Sequence, residues 1–425
     1  MTGREAAYRL IVRMEDGAYS NLAGSAVQCE DERERAFAQR IARGVIQRRL
    51  TLMHILRAYS RREPERLDKE VRIALLMGLY QIYYMDVPDS AAVNESVKLV
   101  KKLGKTSASA AVNGILRSVL RDGKPIPPAR DDMEALEVRY SVPEELIRCV
   151  MEGYGKDNAL IWLENSAAEQ KTALRAVNIS PEDLAAQLGA YGAKTGPVPG
   201  SVICDRGDAV TDRLFDEGAF YVQGLSSQVC ALSVDPKPGE CVLDICASPG
   251  GKSFAMAGLM EGRGEIISCD LHPKRVRLIE QGAKRLGIDI IRAVCNDGTV
   301  HSDSLPMADR VLCDVPCSGY GVISSKPEIR YKPLDDIKAL PDVQYRILET
   351  SAGYVKPGGV LVYSTCTVNR AENEDVTQRF LACHPEFERD AVPQYLADIY
   401  GFEYEKTIFA PGYDGFYICR MKRVR

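Results

Sequence analysis

The chain has 425 residues, of which 45% are hydrophobic and 27% charged, and its formal net charge of -4 argues against a protein that coats nucleic acid indiscriminately. No apolar run reaches the roughly 18 residues that a membrane span needs, and the segment that follows Met1 lacks the apolar stretch of a secretory signal. The 13 cysteines are scattered without a CxxC pair and there are only four histidines, so we expect reduced thiols, no metal site, no membrane association and a cytoplasmic location.

The first part of the chain, up to about residue 125, predicts helices throughout. Apolar residues recur there at helical spacing, as in Leu10-Ile11-Met14 and in Ile115-Leu116-Val119. The segment Asp122-Gly123-Lys124-Pro125-Ile126-Pro127-Pro128 is rich in proline and ends the pattern. We therefore predict an all-α domain over residues 1–128.

Three basic clusters interrupt the otherwise acidic composition. They comprise Arg43, Arg48, Arg49, Arg57, Arg61 and Arg62; Lys98, Lys101, Lys102 and Lys105; and Arg420, Lys422, Arg423 and Arg425. Affinity for phosphates depends on such local patches rather than on the net charge. Each cluster is either a surface for nucleic acid or an ordinary solvated helix face.

A middle section over residues 129–224 mixes short strands and helices. Strands are predicted at 172–177 and 201–204, with a helix from Pro181 to Leu188 between them. Before them, Ser141-Val142-Pro143 predicts the start of a helix, with the serine as its cap and the proline in its first turn. The pattern of this section therefore predicts a small α+β connector.

From about residue 225 to 425 the pattern becomes a regular alternation of strands and helices. The predicted strands are 242–246, 265–270, 290–294, 310–314 and 360–364, and the helices between them start near Lys252, Pro273, Asp335 and Glu372. Continuous apolar strands that alternate with helices indicate a mostly parallel, doubly wound α/β sheet of the Rossmann-like type.

A glycine-rich loop joins the first of these strands to its helix. Glycine lets the backbone approach a ligand closely, and a helix amino terminus offers free N–H groups. The loop matches neither GxGxxG nor the phosphate-binding GxxxxGK[ST] pattern. Asp270 ends the second strand, where a carboxylate can take the ribose hydroxyls of an adenosine-containing cofactor, and Asp297 follows the third. Together they predict a nucleoside-binding crevice.

Two cysteines follow later strands of the same sheet. Cys317 lies in Asp314-Val315-Pro316-Cys317-Ser318-Gly319 and Cys366 in Tyr363-Ser364-Thr365-Cys366-Thr367. The carboxyl ends of parallel strands face the ligand crevice, so two thiols there suggest covalent chemistry, with a disulfide as the alternative. The cysteines expected to be small buried hydrophobes instead are Cys246, Cys269, Cys295 and Cys313.

These motifs resemble the Sun/Nol1/Nop2 family of S-adenosylmethionine-dependent RNA cytosine-5 methyltransferases. The resemblance runs from Tyr221-Val222-Gln223 through the glycine-rich loop and both cysteine motifs to Asp414-Gly415-Phe416-Tyr417-Ile418. The helical first domain resembles the NusB-type RNA-binding fold, and this pairing is similar to that of bacterial small-subunit ribosomal RNA methyltransferases. The resemblance covers essentially the whole chain.

The resemblance implies a function and a set of site residues. It implies methyl transfer from S-adenosylmethionine to C5 of a cytosine in small-subunit (16S) ribosomal RNA. Cys366 would attack C6, Cys317 would assist proton abstraction or product release, and Asp314 would bind the cytosine edge. The implied cofactor-binding residues are Cys246, Ala247, Ser248, Pro249, Gly250, Gly251, Lys252, Asp270, Asp297 and Asp314. Because the thiolate is the reactive form, we expect Cys366 in a partly exposed, electropositive pocket.

The chain departs from the family pattern at two positions. Gly224 stands where an acidic residue is common after Tyr-Val-Gln, and Ser248 replaces a usual alanine. Two other functions remain open: a catalytically silent RNA-binding or ribosome assembly factor, and a nicotinamide oxidoreductase on a similar sheet. We expect a monomer whose partner is ribosomal RNA.

Overall fold

The computed structural model describes residues 1–16, 31–168 and 171–425. The chain divides into two compact units. The first consists of Met1–Met151 together with Ser325–Lys332, and the second of Glu152–Ser324 together with Pro333–Arg425. The short segment Ser325–Lys332 therefore belongs to the first unit although it lies late in the chain.

The first unit is all helical, as the sequence predicts. Its helices are α1 (Gly3–Glu15), α2 (Glu32–Gln47), α3 (Arg49–Tyr59), α4 (Lys69–Tyr84), α5 (Asp89–Lys102), α6 (Ser109–Arg121), α7 (Asp132–Tyr140) and the first part of α8 (Glu144–Tyr154). The apolar run Ile73–Leu79 of α4 is buried on all sides, which is typical of a central helix. The helices α1, α2, α3, α5 and α6 bury one stripe each against a shared core.

Ser141 does not cap α8 as predicted. It adopts a left-handed conformation (φ 55°) at the carboxyl end of α7, where its N–H donates to the Glu137 carbonyl at 2.7 Å. The carbonyl of Pro143 instead accepts the first N–H bonds of α8, from Leu146 and Ile147, both at 3.0 Å. The serine therefore ends one helix, and proline opens the next because it needs no N–H partner there.

Arg330 is the most deeply buried arginine of the first unit, at 1% exposure. Its Nη1 donates to the carbonyls of Gln47 (3.0 Å), Tyr140 (3.2 Å) and Ser141 (3.0 Å), at the carboxyl ends of α2 and α7. Carbonyls at helix ends lack partners within the helix, and a cation there also opposes the negative end of the helix dipole. Burial lowers the pKa of Arg330 to about 10, so the group stays charged at neutral pH.

The second unit begins with a small antiparallel sheet. Its strands are β1 (Thr172–Ala176), β2 (Lys194–Thr195), β3 (Ser201–Cys204) and β4 (Phe220–Val222), in the order β2-β3-β1-β4. The helices that precede or accompany it are α9 (Lys156–Ala167), α10 (Pro181–Gln187) and α11 (Arg213–Asp216). The predicted strands and the helix between them are confirmed.

A second sheet carries the Rossmann-like pattern, and the predicted fold class is confirmed. Its strands are β5 (Cys241–Asp244), β6 (Glu265–Asp270), β7 (Ile291–Cys295), β8 (Ala308–Asp314), β9 (Val355–Thr365), β10 (Phe387–Arg389), β11 (Glu405–Ile408) and β12 (Phe416–Arg423). The order is β10-β12-β9-β8-β5-β6-β7, and β11 pairs with β12. The strands β5 to β9 run parallel, whereas β12 is antiparallel to β9.

The order in which the strands are connected shows where a ligand would bind on this sheet. From β5 the chain adds β6 and β7 on one side of the sheet and then β8 and β9 on the other, so the order of strand addition reverses between β5 and β8. In open α/β sheets the ligand crevice lies outside the carboxyl ends of the strands at such a switch point. The glycine-rich loop follows β5 and the Cys317 motif follows β8, so both lie there.

Helices flank the large sheet, and one of them begins later than predicted. They are α12 (Leu225–Val234), α13 (Gly251–Leu259), α14 (Pro273–Arg285), α15 (Leu340–Ala352), α16 (Glu374–Cys383) and α17 (Gln394–Tyr400). The prediction of a start near Asp335 is wrong because Leu334–Ile337 forms a 3-10 turn, and the α-helix begins only at Leu340, with Pro341 in its first turn. Within the described ranges, every helix is too short or too polar to cross a bilayer.

Candidate active site

The glycine-rich loop after β5 is held at both ends. The N–H of Ala247 donates to the Cys269 carbonyl at 2.8 Å, which ties the loop to β6. Gly250 has φ 110°, and a Cβ there would lie 2.4 Å from the Phe254 ring, so only glycine fits. Tyr221, whose hydroxyl donates to the Gly251 carbonyl at 3.0 Å, supports the loop from β4.

Ser248 and Gly224, the two departures from the family pattern, have different surroundings. The Ser248 hydroxyl donates to the Arg275 carbonyl at 3.3 Å, so the added oxygen has a partner and the loop accommodates it. A Cβ at Gly224 would lie 3.0 Å from Oδ2 of Asp414. An acidic side chain at position 224 would therefore meet a carboxylate that this chain already supplies from the loop before β12.

Lys252 and Asp314 form an ion pair between the glycine-rich loop and the end of β8. The Nζ–Oδ2 distance is 2.6 Å, and the side chains are 12% and 25% exposed. Burial by itself lowers the pKa of Lys252, but Asp314, together with Cys230 and Asp244, outweighs it, and the net shift is upward. The Ser364 hydroxyl donates to Oδ1 of Asp314 at 2.9 Å, which fixes the carboxylate at the switch point.

Asp270 and Asp297 lie at the ends of adjacent strands. Residue 270 is in register with Cys295 across β6 and β7, and Asp297 follows shortly after. Asp270 accepts from the His272 N–H at 3.1 Å and faces Arg275 Nε at 3.3 Å. The hydroxyl and N–H of Thr299 both donate to Oδ1 of Asp297 and lower the pKa of its carboxyl. Both aspartates are thus oriented carboxylates at the carboxyl edge of the sheet.

The two cysteines singled out from the sequence are brought into contact. The distance between the Sγ atoms of Cys317 and Cys366 is 3.3 Å, and both side chains are partly buried. The hydrogen bond between the two thiols, burial, and the charges of Cys366, Glu372 and Asp314 raise the pKa of Cys317 well above its ordinary value. The surroundings of Cys317 therefore favour its protonated form.

The other cysteines of this sheet only partly follow expectation. Cys269 and Cys313 are fully buried, as predicted, and Cys246 is half-buried. The prediction for Cys295 is wrong: its side chain is exposed at the end of edge strand β7, and its thiol donates to the Leu271 carbonyl at 3.3 Å. An edge strand has a neighbour on one side only, so its last residue lacks the cover that central strands receive.

Sequence reasoning missed Glu372, which lies directly behind the cysteine pair. The sequence pattern predicts only a helix start near this residue, yet its carboxylate is completely buried. Oε2 accepts from the Ser318 N–H at 2.8 Å and from Gln344 Nε2 at 2.9 Å, while Oε1 accepts from Asn369 at 2.9 Å. Its position directly after the second cysteine motif, within Asn369-Arg370-Ala371-Glu372, was the available signal.

Three loops of the site meet through main-chain atoms. The N–H of Gly321 donates to the Cys366 carbonyl at 3.1 Å, and the N–H of Gly415 donates to the Gly321 carbonyl at 2.9 Å. A Cβ at Gly321 would lie 1.8 Å from the Gly415 carbonyl oxygen. The loops after β8, after β9 and before β12 can therefore approach each other only because glycine occupies these positions.

Many residues of the basic clusters are engaged within the protein. Lys98, Lys102 and Lys105 pair with carboxylates, and Arg420 is buried against Asp390. Arg48 lies over the Tyr84 ring and Arg49 over the Tyr331 ring. Arg61 and Arg62 are exposed at the end of α3, and in the described ranges neither forms an ion pair within 4.0 Å.

A doubly wound sheet with a glycine-rich loop, acidic strand ends and a switch-point crevice has the architecture of a Rossmann-like methyltransferase. Comparison with known families agrees with this class. Residues 231–422 match the family described as 16S rRNA methyltransferase RsmB/F, and residues 1–121 match the NusB family.

The similarity to known proteins extends over the whole chain. A probable ribosomal RNA small subunit methyltransferase B from Bacillus subtilis (strain 168) is 34% identical over 440 residues, covering 99% of this chain and 98% of that protein. The crystal structure of PH0851 superposes with a TM-score of 0.81 at 24% identity, covering 99% of this chain and 98% of the other. NSun6 from Pyrococcus horikoshii, solved with SFG, gives a TM-score of 0.59 at 22% identity and covers 67% of this chain and 99% of its own.

The chain belongs to the RsmB/F family of 16S rRNA methyltransferases, and it is an enzyme. The family resemblance inferred from the motifs is thereby confirmed, as is the NusB-type character of the first domain. The open alternatives of a silent assembly factor and a nicotinamide oxidoreductase are not supported.

Proposed function

We propose that the protein methylates C5 of a cytosine in small-subunit ribosomal RNA, with S-adenosylmethionine as methyl donor and a covalent bond between Cys366 and C6 of the base. The observation that carries this proposal is the pair of thiols 3.3 Å apart, next to Asp314 at the switch point. Methylation of an exocyclic nitrogen or of a ribose oxygen needs no thiol, because those atoms are nucleophiles themselves. Carbon C5 is not, and a thiolate that adds to C6 makes it one.

The residues of the loop and strand ends fit an adenosine-containing methyl donor. We assign Asp270 to its ribose and Asp297 to its adenine, and the main chain of the loop Cys246–Lys252 to close contact with the ligand. The first N–H groups of α13 follow Gly250 without a side-chain cap, which suits a carboxylate group. When bound, S-adenosylmethionine supplies an electrophilic methyl group to C5.

Cys366 performs the addition and the final elimination. Its thiolate forms a bond to C6, and the electron pair of the C5–C6 double bond becomes available at C5. After C5 has gained a methyl group and lost its proton, the C6–S bond breaks, the ring regains its double bond, and Cys366 leaves as a thiolate. Asp314 accepts hydrogen bonds from the cytosine edge, while Lys252 keeps its carboxylate oriented. The cytosine must leave any stack to reach these groups.

Cys317 acts after the adduct has formed. In the free enzyme the neighbouring Cys366 is the largest cause that raises the pKa of Cys317. Once Cys366 is bonded to the base it no longer carries negative charge, so this cause disappears and Cys317 loses its proton to solvent more readily. The resulting Cys317 thiolate takes the proton from C5, which allows the elimination of Cys366.

The mutants Cys366→Ala and Cys317→Ala test the proposal. We expect Cys366→Ala to abolish methylation of ribosomal RNA and any RNA complex that survives denaturing electrophoresis. We expect Cys317→Ala to accumulate such a complex, because the C5 proton is not removed and the C6–S bond persists. RNA with 5-fluorocytidine at the target should trap the wild type in the same way, since fluorine cannot leave as a proton. Turnover by Cys366→Ala would refute the assignment of the nucleophile.

A further inference from the structure

The loop that carries Cys317 is held from behind on both sides of the cysteine. The carbonyl of Pro316, the residue before it, accepts from Gln344 Nε2 at 2.9 Å. The N–H of Ser318, the residue after it, donates to Glu372 Oε2 at 2.8 Å. The same Gln344 nitrogen also donates to Glu372 Oε2 at 2.9 Å, so both anchors converge on one pair of side chains.

The orientation of Gln344 supports a specific role for this pair. Its Nε2 serves two acceptors, while in the described part of the chain its buried Oε1 has no hydrogen-bond partner. The flipped amide would place Oε1 against the Pro316 carbonyl and the Glu372 carboxylate, which are both acceptors, so the orientation is fixed. The side-chain oxygen of Gln344 thus stays unpaired in this orientation, while its nitrogen donates to both Pro316 and Glu372.

Glu372 also links the two cysteine loops. Its Oε1 accepts from Asn369, which lies after Cys366, and its main-chain carbonyl accepts from the Tyr363 hydroxyl of β9 at 2.6 Å. The Ser318 and Thr367 hydroxyls lie 2.6 Å apart and join the loops a second time. The completely buried carboxylate therefore joins the residue after Cys317 to the segment after Cys366.

We propose that Glu372 and Gln344 are positioning residues that hold the loop of Cys317, and with it the thiol, against Cys366. The catalytic part of this inference rests on the proposed function, whereas the positioning does not. The ionisable groups around Cys317 are Cys366 directly after β9, Tyr363 from β9, Asp314 from β8 with its partner Lys252 from α13, and Glu372 itself. Among these side chains, Glu372 also accepts a hydrogen bond from the main-chain N–H of Ser318, next to Cys317.

Thiol alkylation of the free enzyme measures this positioning without RNA. Iodoacetamide reacts with a thiolate, forms a thioether and releases iodide, and mass spectrometry of peptides gives the rate at Cys317 and Cys366 separately. In Glu372→Gln the negative charge is lost. If the amide oxygen keeps accepting from Ser318 and Gln344, the amide nitrogen faces the Asn369 donor, and that hydrogen bond is lost. We expect alkylation of Cys317 at pH 8 to rise roughly tenfold, because loss of the Glu372 charge favours the thiolate, and the pH midpoint to move down.

Glu374→Gln is the matched control. Glu374 lies two residues further on and is a partly buried carboxylate, but it bonds Tyr154 at 2.8 Å and Thr407 at 2.8 Å instead of the cysteine loops. We expect its substitution to leave the alkylation rates of both cysteines unchanged. In methylation assays Glu372→Gln should lower kcat and leave KM for RNA unchanged, because the loop is not an RNA-binding element in this proposal.

A second variant keeps the test decisive if Glu372→Gln does not fold. Gln344→Met retains the charge of Glu372 but releases the Pro316 carbonyl, so we expect faster alkylation of Cys317 with an unchanged pH midpoint. Wild-type alkylation of Cys317 in whichever variant folds would overturn the inference. Failure of the cytosine mechanism would appear instead as methylation by Cys366→Ala and would leave the alkylation result valid.

Discussion

Gly321 is the position where one added methyl group should do the most damage to the site. A Cβ there would lie 1.8 Å from the carbonyl oxygen and 2.5 Å from the carbonyl carbon of Gly415, and 2.9 Å from the carbonyl oxygen of Cys366. All three atoms belong to the main chain, so no side chain can rotate away. Gly321→Ala must therefore separate the loops that the glycine brings together.

The magnitude follows from that separation. Overpacking of a dense interior costs about 1–3 kcal/mol, and the upper end applies here because only backbone can move. If the loops part instead, the two hydrogen bonds of Gly321, to Cys366 and from Gly415, are lost at about 1 kcal/mol each. Both routes give a loss of about 2–3 kcal/mol. Since the Cys366 main chain is displaced, formation of the trapped RNA adduct should also slow.

Tryptophan fluorescence during urea unfolding measures this loss selectively. Trp162 is the single tryptophan, it is 2% exposed, and its Nε1 donates to the Tyr320 carbonyl at 2.9 Å, one residue from the substitution. Gly258→Ala is the control, because Gly258 lies in α13 with open space around it, and alanine there should stabilise by about 0.5–1 kcal/mol. An unfolding midpoint of Gly321→Ala equal to that of the wild type would refute the reasoning.

Two further substitutions test the electrostatics of the sheet. Burial raises the pKa of Asp244 to about 7, so from about pH 4 to 7 the folded state keeps a proton that the unfolded state releases, and stability falls as pH rises. Asp244→Asn should remove this dependence, which amounts to at most ~4 kcal/mol, in urea unfolding across pH 4 to 8. Lys252→Met should cost about 2 kcal/mol in the same assay at pH 7, because it leaves Asp314 without its cation in a largely buried place.

A separate result would contradict each of these two predictions. Parallel stability curves of wild type and Asp244→Asn against pH would contradict the assigned ionisation of Asp244. For Lys252, the comparison is Lys356→Met, which breaks a pair with Asp309 whose side chains are 42% and 32% exposed and should cost less than about 1 kcal/mol. Equal losses in the two lysine variants would show that burial does not strengthen the Lys252 pair.

The parallel core of the sheet could be predicted from sequence, and its antiparallel edge could not. Strands such as Glu265–Asp270 are continuous apolar runs between turn signals, and their bounds are recovered. The long strand Phe416–Arg423 has arginine and lysine within it, so it does not read as a core strand. Arg420 is buried there only because Asp390 and the carbonyls of Ser233 and Val234 receive its guanidinium, and these partners are remote in sequence.

The same distinction holds in the candidate site. Cys317 and Cys366 stand in specific motifs at strand ends, so their proximity follows from the order of the strands. The sequence signal for Glu372 is weaker: it lies directly after the second cysteine motif, yet a glutamate ahead of a helix is commonly an exposed first-turn residue. Its burial depends on Gln344, Asn369 and Ser318, three groups from separate segments that only the folded chain assembles.

Arg330 makes the helices of Met1–Met151 depend on a residue that lies far later in the chain. The carboxyl ends of α2 and α7 are closed by a guanidinium that is synthesised long after both helices. During translation the NusB-type bundle must therefore emerge with these carbonyls still facing water, and it reaches its final form only when residue 330 has left the ribosome. An excised bundle that stops at residue 151 would remain in that incomplete state, so shuffling of this domain between proteins would have to carry Ser325–Lys332 along.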